Sequence, residues 1–164
     1  MKTLKLGTKI NILIFCIIIL LTAVLTAAAI IQIKEGIQKE TLERVKSSLS
    51  LAYRYLDEKY EGSWAIEDGS LYKGNTKMND NSQIVDEIGN LTGGTATIFQ
   101  RDKRVATNII INNKRAVGTT APPEVVEQVL KKGNTFFREV NILNQWYQAA
   151  YMPIKNDRGE IIGM

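Results

Sequence analysis

The chain has no histidine and one cysteine, Cys16, among 164 residues. Histidine-based acid/base catalysis, thiolate nucleophiles outside that one position and Cys/His zinc sites therefore lack their usual residues. A disulfide within one chain is excluded. The bulky neighbours Ile14, Phe15 and Ile17 fit a buried apolar thiol better than a lipidation site. A basic stripe is also missing: of 21 Lys and Arg, Lys2, Lys5 and Lys9 precede the first apolar run, which leaves 18 against 17 Asp and Glu from residue 10 onward. Nothing there gathers positive charge for nucleic acid. Asp57-Glu58, Glu67-Asp68 and Asp86-Glu87 fall on a helix end, a turn and a polar helix face, where solvated surface is expected. Gly93-Gly94 lacks the Lys-Ser or Lys-Thr of a phosphate loop. No metal, no cofactor and no enzymatic activity are expected.

Charge is absent altogether from residues 10–31, INILIFCIIILLTAVLTAAAII. Such a run is long enough for the roughly 20 helical residues that cross about 30 Å of hydrocarbon. The lysines before it put the N-terminus on the cytoplasmic side by the positive-inside rule. The expected division is a cytoplasmic 1–9, a membrane helix 10–32 and an extracellular or periplasmic domain 33–164. Ala27-Ala28-Ala29 keeps a cleaved signal peptide as the alternative, although the run exceeds the roughly 7 to 15 residues of a signal core.

No proline interrupts residues 34–60, where Leu42, Val45, Leu49, Ala52 and Leu56 recur at heptad-like spacing. The spacing predicts a helix whose stripe either packs within the chain or pairs two chains in parallel as a homodimer. Beyond Gly62, WAIEDGSLYKG predicts a hairpin turning at Asp68-Gly69. DNSQIVDEIG predicts a short helix capped by Asp80 or Asn81 and stopped by its glycine. TATIFQ and RVATNIII predict a hairpin turning at RDK, and TAPPEVVEQVLKKG a helix from Pro123 to Lys132 with Thr120 as possible cap. TFFREV, QWYQAAYMPI and EIIGM predict three antiparallel strands. The last stops at Met164 in an apolar run, where a truncated chain is expected. The sum is an α+β domain, a long helix supporting an antiparallel sheet of about five strands.

In that order GGTATIFQRDKRVATNI (93–109), KRAVGT (114–119), PEVVEQVLKKG (123–133) and WYQAAYMPIKNDRGEIIGM (146–164) resemble the N-terminal part of bacterial methyl-accepting chemotaxis proteins with a single cache sensor, a PAS-like domain. The resemblance covers essentially the whole chain. It implies a receptor in the cell membrane whose outer domain binds a small organic acid or similar molecule between the sheet and the segments over it. The sensor of a histidine kinase, and a membrane-anchored helical interaction module without ligand, are the alternatives.

Two arginines in the RVATN and KRAVGT segments, Arg104 and Arg115, can be solvated edge residues or can capture a carboxylate, because guanidinium offers a planar fork of donors. Related citrate-type sensors carry an arginine and a hydrogen-bonding residue three positions later. The resemblance places these at Arg104 and Thr107, with Thr where those sensors have His. Asn108 shares the Arg104 face on a regular strand. On the far strand Tyr147 and Tyr151 share one face and Gln148 lies on the other. These seven residues make the expected ligand site, with Arg104 and Arg115 at one pocket; the tyrosines can equally be packing residues, and Phe99 and Phe136 are read as core.

Overall fold

The structure, a computed structural model, describes residues 6–142 and 145–164. Its backbone forms two units, Met1–Thr41 and Leu42–Met164. Helix α1, Leu6–Lys59, supplies the whole described part of the first unit and opens the second.

In the first unit, Leu6–Ile33 is long and apolar enough to cross a membrane. Its large side chains are exposed on every side, among them Phe15, Leu20 and Leu25. Thr22 donates to the carbonyls of Ile18 and Ile19, and Thr26 to that of Thr22. Each hydroxyl is thus satisfied by its own helix, as a hydrocarbon environment requires.

In the second unit, β1 (Trp64–Glu67) and β2 (Ser70–Lys73) pair antiparallel, and β3 (Thr76–Lys77) adds to β2. Asp68 and Gly69, both at positive φ, make the two-residue turn read from the sequence. Helix α2 follows, Ser82–Thr92, with the Asn81 side chain accepting from Ile84 N–H. It does not stop at Gly89 as expected but runs to Gly93, which takes the left-handed conformation at φ 68°. Gly89 lies inside because the Asn108 side chain packs where its Cβ would stand.

The central sheet has the order β10-β11-β4-β5. β4 (Thr97–Gln100) and β5 (Lys103–Thr107) turn at Arg101-Asp102, with Lys103 already inside β5. β5 ends at Thr107, short of the predicted run, because Asn108 turns its side chain to the backbone of Gly94 and Ala96. The isoleucines beyond fall on a separate hairpin, β6 (Ile110–Ile111) and β7 (Lys114–Arg115). Helix α3 (Pro123–Val125) leads into a π-helical segment, Val126–Lys131. Thr120 does not cap it, since that residue bridges to Lys103 and Pro122 takes the cap position.

The end of the chain departs from three strands paired in series. β8 (Phe136–Ile142) pairs with β9 (Gln145–Tyr151) as a separate ribbon. The run breaks at Met152-Pro153, and β10 (Ile154–Lys155) and β11 (Ile161–Gly163) join the central sheet beside β4.

Two apolar clusters flank β4 and β5. One joins Leu56 of α1 with Trp64, Leu71, Ile84, Val85, Ile98 and Ala106, and Ala52 and Tyr55 pack onto it. The other joins Phe99, Ala121, Val125, Val129 and Met164, with Phe136 and Tyr151 against it. The heptad stripe is thus turned inward at Leu56 and Ala52. Lys73, 7 % exposed, reaches Asp57 of α1 at 2.6 Å and covers the Trp64 ring.

Candidate functional site

A β-bulge decides what the central sheet presents. Along the β4–β5 ladder Ile98 pairs with Ala106 but Phe99 pairs with Arg104, so Val105 is the extra residue. The pairs Thr97–Thr107 and Phe99–Arg104 consequently share one face, with Ile98–Ala106 on the other. Regular alternation would have separated Arg104 from Thr107.

On that face the Arg104 guanidinium stacks over the Phe99 ring at 5.1 Å. One nitrogen, Nη1, donates to Thr119 Oγ1 at 2.5 Å and to the Ala116 carbonyl at 3.4 Å. Its Nε is buried with no hydrogen-bond partner among the described residues. Burial pushes the guanidinium below its ordinary pKa, opposed by Tyr151. The Tyr151 ring lies 6.4 Å from that of Phe99. Burial raises its phenol, while Arg138 and Arg104 both pull it back down. Two cations therefore act on one half-buried hydroxyl.

Arg138 is missing from the sequence expectation. It lies two residues from Phe136 on β8, and alternation gives those residues a common face, which β9 continues through Tyr151, Ala149 and Tyr147. The signal was present in TFFREV: reading Phe136 as core already implies Arg138 beside it. Its Nε is likewise buried without a hydrogen-bond partner among the described residues. Unspent guanidinium donors on a face with a phenol and aromatic rings can receive an anion, for which arginine is the best-shaped donor.

The other expected residues lie elsewhere or are committed. Thr107 is fully buried; its Oγ1 shares a 2.7 Å hydrogen bond with Thr97 Oγ1, donates to the Ala96 carbonyl and accepts from Ile109 N–H. Asn108 accepts from Ala96 N–H at 2.8 Å and donates to the Gly94 carbonyl. Arg115 grips Asp86 of α2, against the opposite cluster, so the two expected arginines do not converge on one pocket. Gln148 donates to Glu139 at 2.7 Å across the β8–β9 ribbon, and Tyr147 is 44 % exposed. Asp86 and Glu87 are not merely solvated: Glu87 receives Lys59, Tyr55 and Gln83.

Two hollows open away from the Arg104–Tyr151 face. A space of about 260 Å³ is lined by Asp80, Ser82, Ala106, Thr107, Arg115 and Val117. One of about 350 Å³ runs along Lys46, Ser47, Ser50, Leu51 and Arg54 of α1. The first holds Arg115, whose guanidinium already spends three of its five donors on Asp86 and the Thr107 carbonyl. Among the described residues no group of acidic or sulfur side chains is placed to hold a metal ion.

Residues 76–164 match the family model described as single cache domain 3. Among curated proteins and solved structures nothing matches the chain.

Proposed function

The chain belongs to the single cache domain family, and from that premise we propose that it is the ligand-sensing part of a bacterial transmembrane chemoreceptor of the methyl-accepting chemotaxis type, taking a small organic acid. The observation that carries the acid is the face on which Arg104 and Arg138 both act on Tyr151 while each keeps a buried, unpaired Nε. A carboxylate there supplies acceptors to donors that otherwise lose hydration without return. Phe99, Phe136 and the Val125–Val129 turn supply apolar walls.

In this reading residues 1–9 are cytoplasmic, 10–32 span the membrane, and 33–164 form the sensor outside, supported by the uncharged run and the lysines before it. The domain performs no chemistry. Ligand binding favours one arrangement of the sensor over another, and the difference reaches the membrane through α1 as a population shift. Two chains pair through the helix 34–60, on the part that leaves Leu51 47 % exposed.

The deciding experiment follows thermal unfolding of the full chain in lipid nanodiscs against short carboxylates, amino acids and purines. Binding to the folded state raises the midpoint by mass action. A rise with a carboxylate that Arg104→Ala abolishes supports the reading; a rise with purines only, or none at all, overturns the acid assignment.

A further inference from the structure

A carboxylate of the protein's own stands at Arg138. Glu124 Oε2 lies 3.5 Å from Arg138 Nη1, and the two side chains are 62 % and 27 % exposed. That separation exceeds the roughly 2.7–2.9 Å of a fully formed charge-assisted hydrogen bond. The Nε of Arg138, meanwhile, has no hydrogen-bond partner among the described residues. Glu124 thus stands against the same guanidinium without a fully formed hydrogen bond, while Nε stays unpaired.

The position of Glu124 gives that contact a mechanical meaning. It belongs to α3, and its neighbour Val125 is fully buried in the Phe99 cluster. The π-helical segment that follows is held by wide turns, such as Lys132 N–H to the Glu127 carbonyl, and single π turns are often found at functional sites. Val125 and Val129 anchor the segment in that cluster, so the exposed ion pair fixes only the Glu124 side chain.

We infer that Glu124 is a built-in competitor for the acid site: it holds Arg138 while the site is without ligand, and an arriving carboxylate displaces its side chain into solvent. The inference rests on the acid-binding reading of the same face. The exchange swaps one carboxylate for another on the same guanidinium, so the local charge is unchanged inside the site while one negative charge is freed at its rim. The displaced Glu124 is free to leave because most of its side chain already faces water.

The test titrates acetate and succinate, with acetamide and succinamide as neutral controls, into the full chain in nanodiscs by calorimetry. Wild type, Glu124→Gln, Arg138→Gln and the double variant are compared, each first shown to unfold in one normal transition. Glu124→Gln is expected to bind the carboxylates about two- to fivefold more tightly, since an exposed ion pair withholds about that share of the competent state. In the Arg138→Gln background the same change is expected to give no gain. Carboxylate binding that is unchanged or weaker in Glu124→Gln overturns the competitor and leaves the acid site standing. Folded wild type and Glu124→Gln that both ignore every carboxylate overturn the acid site itself, and the competitor with it.

Discussion

Arg115 and Asp86 meet end to end: Nη1 to Oδ1 and Nη2 to Oδ2 are both 2.8 Å, and the same Nη1 donates to the Thr107 carbonyl at 2.9 Å. A guanidinium expected to await a ligand instead fastens the β6–β7 hairpin to α2. Arg115 holds the Asp86 carboxyl below its ordinary range. The pair's contribution is therefore complete above the unfolded carboxylate pKa of about 3.9 and is lost as pH falls through the lower folded value. Glu87, brought to about 2 by Lys59, Gln83 and Tyr55, acts in the same sense. Melting followed by circular dichroism from pH 7 to 2 should show the midpoint dropping below about pH 4, less steeply in Asp86→Asn; equal slopes would refute the assignment.

The two arginines are expected to separate cleanly on substitution. Arg115→Ala should lower the melting midpoint by about 2–4 °C, as loss of an exposed bidentate pair does, and leave carboxylate affinity within about twofold. Arg104→Ala should weaken carboxylate binding about tenfold or more, the scale of a hydrogen bond to a charged group. Calorimetry on both variants distinguishes the roles, and the reverse pattern would return Arg115 to the binding site.

Gly89→Ala tests why α2 runs through a glycine. A Cβ there would stand 2.2 Å from Asn108 Nδ2 and 3.0 Å from the Gly94 carbonyl oxygen. Asn108 cannot yield without giving up Ala96 N–H. A loss of about 1–3 kcal/mol is expected by urea denaturation, as for other overpacked sites; a neutral result would mean that the Asn108 contact is dispensable.

Tyr151→Phe removes the hydroxyl and keeps the ring against Phe99. Carboxylate affinity should fall about three- to tenfold, the scale of one hydrogen bond, with little change in stability. In the wild type the raised phenol works at the alkaline end. Its contribution is whole below the unfolded tyrosine pKa of about 10 and is lost as pH rises through the higher folded value. Tyr151→Phe should lack that alkaline loss in melts above pH 9.

Leu56→Ala against Leu51→Ala separates the two faces of the outer helix. Leu56 is 7 % exposed within the first cluster, so its truncation should cost about 2–4 kcal/mol. Leu51 is 47 % exposed and should change monomer stability by less than about 0.5 kcal/mol. A larger cost at Leu51 that grows with protein concentration would mark it as an interface between two chains.

What could be read from the sequence follows the regular repeats. The uncharged helix, the Asp68-Gly69 turn, the Asn81 cap and the α+β class each rest on local chemistry that nothing distant overrides. Arg104 is legible in the sequence as a candidate for its type and setting. The pairing of Arg104 with Arg115 was not, because Asp86 comes from a helix 29 positions away and no local pattern announces the ion pair. Thr107 and Asn108 misled in the same way: their polar atoms look available in an extended strand and are spent on Thr97, Ala96 and Gly94 once the chain turns. Arg138 was overlooked although alternation from Phe136 pointed to it.

Both walls around Arg104 carry one residue more than their regular repeats require: Val105 in the strand below, and the wide turns of Val126–Lys131 above. Counting by twos or by 3.6 therefore loses phase at this spot and nowhere else along those elements. Pairing the same residues without the bulge, Phe99 with Val105 and Gln100 with Arg104, would turn the Arg104 side chain toward Ile98 and Ala106, leaving a cation in oil. Which face Arg104 takes is thus set by the pairing register of β5, through a residue whose own side chain lies elsewhere.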